Sequence, residues 1–99
     1  RDMSKNHNWS LEDCLLVITE FVKRYKTEDY KNIEKDVAKK IGTSASSVNL
    51  TIANYVALLE GKSEGFGSNA SKYQEAALNA FLEENKTLSK NKLIYIFKN

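Results

Sequence analysis

Gly42 constrains this chain more than any other residue, because Ala38 stands four positions before it and Val48 six positions after it. Two helices joined by a tight turn need a residue that accepts positive φ. They also need a small residue in the first helix, where the second crosses closely, and an apolar anchor in the second. Gly42, Ala38 and Val48 meet these needs. Val37 and Ile41 extend the apolar side of the first helix, and Ile52, Tyr55, Val56 and Leu59 continue the face begun at Val48. The pattern predicts a helix-turn-helix pair. Its first helix starts near Glu28 or Asp29, with Thr27 as cap and Tyr30 and Ile33 also inward, and ends at Ile41. Its second begins after Thr43 or Ser44 and ends near Leu59 or Glu60.

The flanking segments add helices. Ser10 and Asp13 have the spacing of a capping box, which predicts a helix from Leu11 to Tyr25. Leu11, Cys14, Leu15, Ile18, Phe21, Val22 and Tyr25 recur along its inward face, and Trp9 sits where it can pack back on the first turn. Lys23, Arg24 and Lys26 complement the negative end of the helix dipole. After a glycine-rich stretch over 61–71, Tyr73, Ala77, Leu78, Phe81 and Leu82 mark the inward face of a helix from about Ala70 to Glu84. Leu93 to Phe97 form an apolar run that suits a short helix, a strand or a segment of a longer protein. A short helix is preferred, since a lone strand has no partner. The expected fold is all-α: a compact four- to five-helix domain containing a helix-turn-helix-like pair. Residues 1–8 are read as a flexible amino terminus, 9–85 as the domain, and 86–99 as an extension or the start of a following segment.

A chain of 99 residues supports one modest core, and 41% hydrophobic residues suffice for it. The formal charge is only +2, so attraction to nucleic acid has to come from where the lysines lie. The single cysteine, Cys14, falls on an apolar face and reads as a buried hydrophobe. No run is long enough to span a membrane and no signal-peptide core is evident, which leads to an expectation of a cytoplasmic protein. Met3 behind Arg1-Asp2 reads as a scar or an excised piece of a longer chain. The only histidine is His7, and no Cys/His set, Gly-x-Ser-x-Gly or phosphate-loop pattern occurs. Glu12, Asp13, Glu20, Glu28 and Asp29 read as caps or solvated residues. The expectation is therefore no enzyme, no metal and no cofactor.

Binding chemistry is better represented. Asn can bridge adenine N6 and N7 in the major groove, and Ser or Thr hydroxyls suit several bases. The outward side of the second helix of the pair carries Ser46, Ser47, Asn49, Leu50, Thr51, Ala53 and Asn54, a short and uncharged surface. Phosphate contacts then fall to lysines elsewhere. Lys31, Lys35 and Lys39 form an i, i+4 stripe, interrupted by Glu34 and Asp36 on neighbouring lines. Lys62 and Lys72 bracket the glycine-rich stretch, and Ser68, Asn69 and Ser71 open the next helix, whose free N–H groups favour an anion. Phe66, between two glycines, is either a plug returning to the core or an exposed aromatic. Each feature also has a plain reading as cap, connector or solvated face.

The chain resembles a small helical module found ahead of HNH-type nuclease domains in bacterial and phage proteins. More loosely, it is similar to the DNA-reading domains of modification-dependent restriction enzymes, including those that sense phosphorothioate DNA. The likeness rests on Asn8-Trp9-Ser10 followed by acidic residues, on Ser46-Ser47-Val48 with Asn54 farther along, and on Gly67-Ser68-Asn69-Ala70-Ser71-Lys72. It implies duplex-DNA recognition by a helical domain serving a fused or associated nuclease, with no catalytic residue in this segment. Thr43-Ser44-Ala45 stands where such modules often carry Arg-Ser-Pro. Two rivals remain open. One is a protein-interaction module docking through Leu50, Leu58 and Phe66; the other is a repressor that dimerises through 93–97.

Overall fold

The computed structural model describes residues 9–61 and 69–98. Among them are five helices and no strand: α1 (Leu11–Arg24), α2 (Tyr30–Ile41), α3 (Ala45–Leu59), α4 (Asn69–Glu84) and α5 (Lys90–Lys98). The chain is an all-α domain containing the expected pair. Lys62, Phe66 and Ser68 lie outside the described residues, as does His7.

Helix ends follow local chemistry. At α1 the Ser10 hydroxyl accepts the Asp13 N–H and the Asp13 carboxylate accepts the Ser10 N–H, closing the capping box. At α3 the Ser44 side chain accepts the Ser47 N–H at 3.1 Å. Thr27 does not cap α2. Thr27 and Glu28 instead donate their N–H groups back to the Arg24 carbonyl, so the turn after α1 consumes them and Asp29 becomes the N-cap. Gly42 ends α2 at φ 91°, and the N–H groups of Gly42 and Thr43 both reach the Ala38 carbonyl. The Thr43 bond is the 6→1 closure of a Schellman turn, and the Gly42 bond is the 5→1 closure of a left-handed cap. A methyl group on Gly42 meets nothing within 4 Å, so Gly42→Ala is opposed by backbone strain alone. The expected cost is about 1–2 kcal/mol. A lowered thermal midpoint with an unchanged helical circular-dichroism spectrum would register it.

One core joins all five helices. Cys14, Val17, Ile18 and Phe21 of α1 meet Val37 and Ala38 of α2, Val48, Ile52 and Tyr55 of α3, Ala77 and Leu78 of α4, and Leu93, Ile96 and Phe97 of α5. Trp9 packs against this cluster from outside the first cap. The Tyr55 hydroxyl donates to the Cys14 carbonyl oxygen at 2.7 Å, tying α3 to α1. Burial pushes the Cys14 thiol up to about 11, so it stays protonated near neutrality.

Several inward assignments shift by one position. Val17 is buried whereas Leu11 is 39% exposed, because α1 lies between α2 and α4 and its central stripe turns toward both. Gln74 takes the inward position on α4 and Tyr73 is left 47% exposed, since 74, 77, 78 and 81 form the stripe that meets the core. Thr51 is buried on α3, where its hydroxyl donates to the Ser47 carbonyl oxygen at 3.0 Å. It therefore drops out of the outward surface. The run 93–97 is helical, and three of its five residues are spent on the same core.

Charges knit α1 to α2. Arg24 forks onto Glu28 at 2.8 and 2.7 Å, and its Nη1 also reaches Glu20 at 2.8 Å and Asp36 at 2.7 Å. Lys40 adds contacts at 3.4 Å to Glu20 and 3.5 Å to Asp36. Arg24 is thus a hub as well as a dipole partner, and Glu20 and Glu28 are paired where simple solvation or capping was expected. Burial raises the Glu20 pKa, but Arg24, Lys40 and Lys23 outweigh it and hold the carboxyl below its usual value. Arg24 likewise lowers Glu28 and Asp36.

Candidate nucleic-acid interface

The outward face of α3 is built by its period. Val48, Ile52 and Tyr55 pin one side to the core, which leaves Ser46, Asn49, Leu50 and Ala53 exposed on the other. None of these four carries a charge, and Leu50 is 62% exposed. Because α3 follows α2 directly through the turn at Gly42 and packs on it, the first half of this face lies beside the outward lysines of α2. Lys31, Lys35, Ala45, Ser46 and Asn49 surround an open cleft of about 410 Å³, with Glu34 also lining it.

The cleft mixes charge in a definite order. Lys31 and Lys35 stand one helical turn apart and are exposed. The first turn of α3 has no acidic residue, so the partial positive charge of its unpaired N–H groups is not cancelled there. Glu34 is buried, with 7% of its surface exposed, and its Oε2 accepts the Asn49 amide N–H at 2.7 Å. Burial pushes the neighbouring Tyr30 phenol up to about 12, the Glu34 charge adds to the rise, and Asn49 acts against it.

The anticipated residues thus fall into groups. Lys31, Lys35, Ser46 and Asn49 come together at the cleft. Leu50 stands on the same exposed side of α3. Ser47 turns toward the cap, where the Ser44 hydroxyl donates to its Oγ at 3.2 Å. Asn54 is half-buried with its Oδ1 enclosed and without a hydrogen-bond partner, so that oxygen faces the interior, away from the free face. Lys72 is exposed on the first turn of α4; Asn69 and Ser71 belong to that same turn.

Glu34 is the member that sequence reasoning misplaced on the surface. A signal for it was present. Tyr30, Glu34, Val37, Ala38 and Ile41 share one helical stripe, so Glu34 occupies an inward register position despite its charge.

A comparison with protein-family models found no match, and searches of curated proteins and of solved structures found none either. Among the described residues, no helix is long and apolar enough to cross a membrane.

Proposed function

We propose that this domain binds duplex DNA, with the exposed face of α3 in the major groove and Lys31 and Lys35 on the flanking phosphates. The observation that carries the reading is the uncharged Ser46–Asn49–Leu50–Ala53 face bordered on its α2 side by two exposed lysines. A groove-facing helix needs short polar side chains to reach base edges, apolar ones for the thymine methyl, and cations beside it for the backbone. Lys72, with Lys62 and Ser68, Asn69 and Ser71 of the following segment, would extend the phosphate contacts. Given the resemblance noted from the sequence, the domain would direct a restriction or phage-related nuclease to its target.

The test is fluorescence anisotropy on a random-sequence duplex at low salt, repeated as salt is raised. Wild-type protein is expected to bind, with log affinity falling linearly against log salt. The double variant Lys31→Ala/Lys35→Ala should weaken all sequences alike and flatten that slope by about 2. No binding at low salt overturns the proposal. In that case the 62% exposed Leu50 favours docking of a protein instead.

A further inference from the structure

Resting on the proposed DNA reading, we infer that Glu34 is a positioning residue that locks the Asn49 side-chain amide in the orientation for adenine. An unrestrained exposed amide turns about its last torsion and exchanges its oxygen for its nitrogen, so it offers a base two opposite patterns. Here one N–H of Asn49 Nδ2 is donated to Glu34 Oε2 at 2.7 Å. Reversal would set the amide oxygen against a carboxylate, two acceptors facing each other with no proton between them. The buried carboxylate therefore selects one orientation. What it leaves for a ligand is the carbonyl oxygen and, beside it, the second N–H, which is shared with the Tyr30 hydroxyl oxygen. That pair matches adenine N7 and N6; guanine, with acceptors at both N7 and O6, cannot satisfy it.

Glu34 also explains an otherwise unfavourable feature, an anion beside the phosphate-facing lysines. Being buried, with 7% exposure, it acts through Asn49 and does not itself meet the bases. Its effects on affinity and on selectivity should then have opposite signs. Removing the charge makes the cleft more attractive to any DNA, while freeing the amide makes it less discriminating.

The experiment is selection from a duplex pool with a randomised core, followed by anisotropy on the enriched duplex, its adenine-to-guanine variant and unselected duplex. Wild type should prefer adenine at one position by about tenfold or more. Asn49→Ala should abolish that preference, leaving the adenine and guanine duplexes within about threefold of each other. Glu34→Gln keeps shape but can donate to the Asn49 oxygen; it should bring the preference within about threefold of parity and bind unselected duplex as tightly as wild type or tighter. Adenine selectivity that survives either variant overturns the inference and leaves DNA binding standing. Failure of wild type to bind any duplex overturns both. Side-chain amide NMR of wild-type protein gives a check independent of variant folding: one Asn49 amide proton should lie downfield of its free-asparagine shift and exchange more slowly than its partner, and a pair at free-asparagine shifts that exchange equally fast would overturn the inference.

Discussion

Phe97→Ala is expected to cost about 3–5 kcal/mol, a large share of the about 5–15 kcal/mol that stabilises a domain of this size. Phe97 is 2% exposed. Its ring stacks on Tyr55 with centroids 5.6 Å apart and meets Phe21 edge-on at 6.2 Å. Removing it opens a void between three helices whose backbones are held by other contacts, so collapse cannot recover the loss. Thermal unfolding should show a midpoint lower by about 15 °C or more. Tyr95→Ala, two residues earlier at a side chain 56% exposed, should stay within about 1 kcal/mol. The Phe97 effect should not depend on protein concentration, because the ring is buried within its own chain. A midpoint that rises with concentration, and does so less in the variant, would instead favour the dimer reading of 93–97.

Arg24→Ala should cost about 2–3 kcal/mol at neutral pH. The loss comes from Glu20, whose side chain is 8% exposed and depends on Arg24 for its closest cation. Lys40 and Lys23 remain within 3.4 and 3.5 Å of it, which keeps the cost below that of stranding a fully buried charge. Arg24→Lys should recover only part, since a single ammonium cannot reproduce the fork on Glu28.

The same network sets a pH dependence. Glu20, Glu28 and Asp36 all have folded pKa values below their ordinary ones. A carboxyl that is more acidic in the folded state contributes fully above its unfolded pKa, near 4, and that contribution disappears as pH falls through the folded value. The stability gap between wild type and Arg24→Ala should therefore be full at about pH 7 and narrow progressively below about pH 4. Urea midpoints across that range would measure it. A gap that stays constant into acid would mean that Arg24 stabilises by packing its stem and not through its charge.

Much of the architecture was legible because its signals are local. A Ser10–Asp13 box, a Ser44 cap and a glycine at the end of α2 each act over one turn of chain, so their geometry follows from neighbours a few residues away. Apolar periodicity is also local, and it located α1 to α4 to within a residue or two at each end. Lys31, Lys35, Ser46 and Asn49 could be singled out individually for the same reason. Their meeting at one cleft depends on how closely α3 crosses α2.

The charged residues at the margins of the stripes were another matter. Glu20 and Glu34 look like solvated carboxylates in the sequence, and each is buried where its helix meets another, with Lys40 of α2 joining Arg24 at Glu20 and Asn49 of α3 over Glu34. Arg24 likewise gains Asp36 from α2. The run 93–97 was equally undecided, since five successive apolar residues have no period, and packing on the core, with Phe97 against Phe21 and Tyr55, settled that Leu93, Ile96 and Phe97 turn inward. By itself the sequence determined where helices begin, end and turn, because those choices are made by hydrogen bonds within a few residues. The tertiary structure alone decided which polar groups leave water and which apolar ones complete the core, because burial depends on atoms that are distant along the chain.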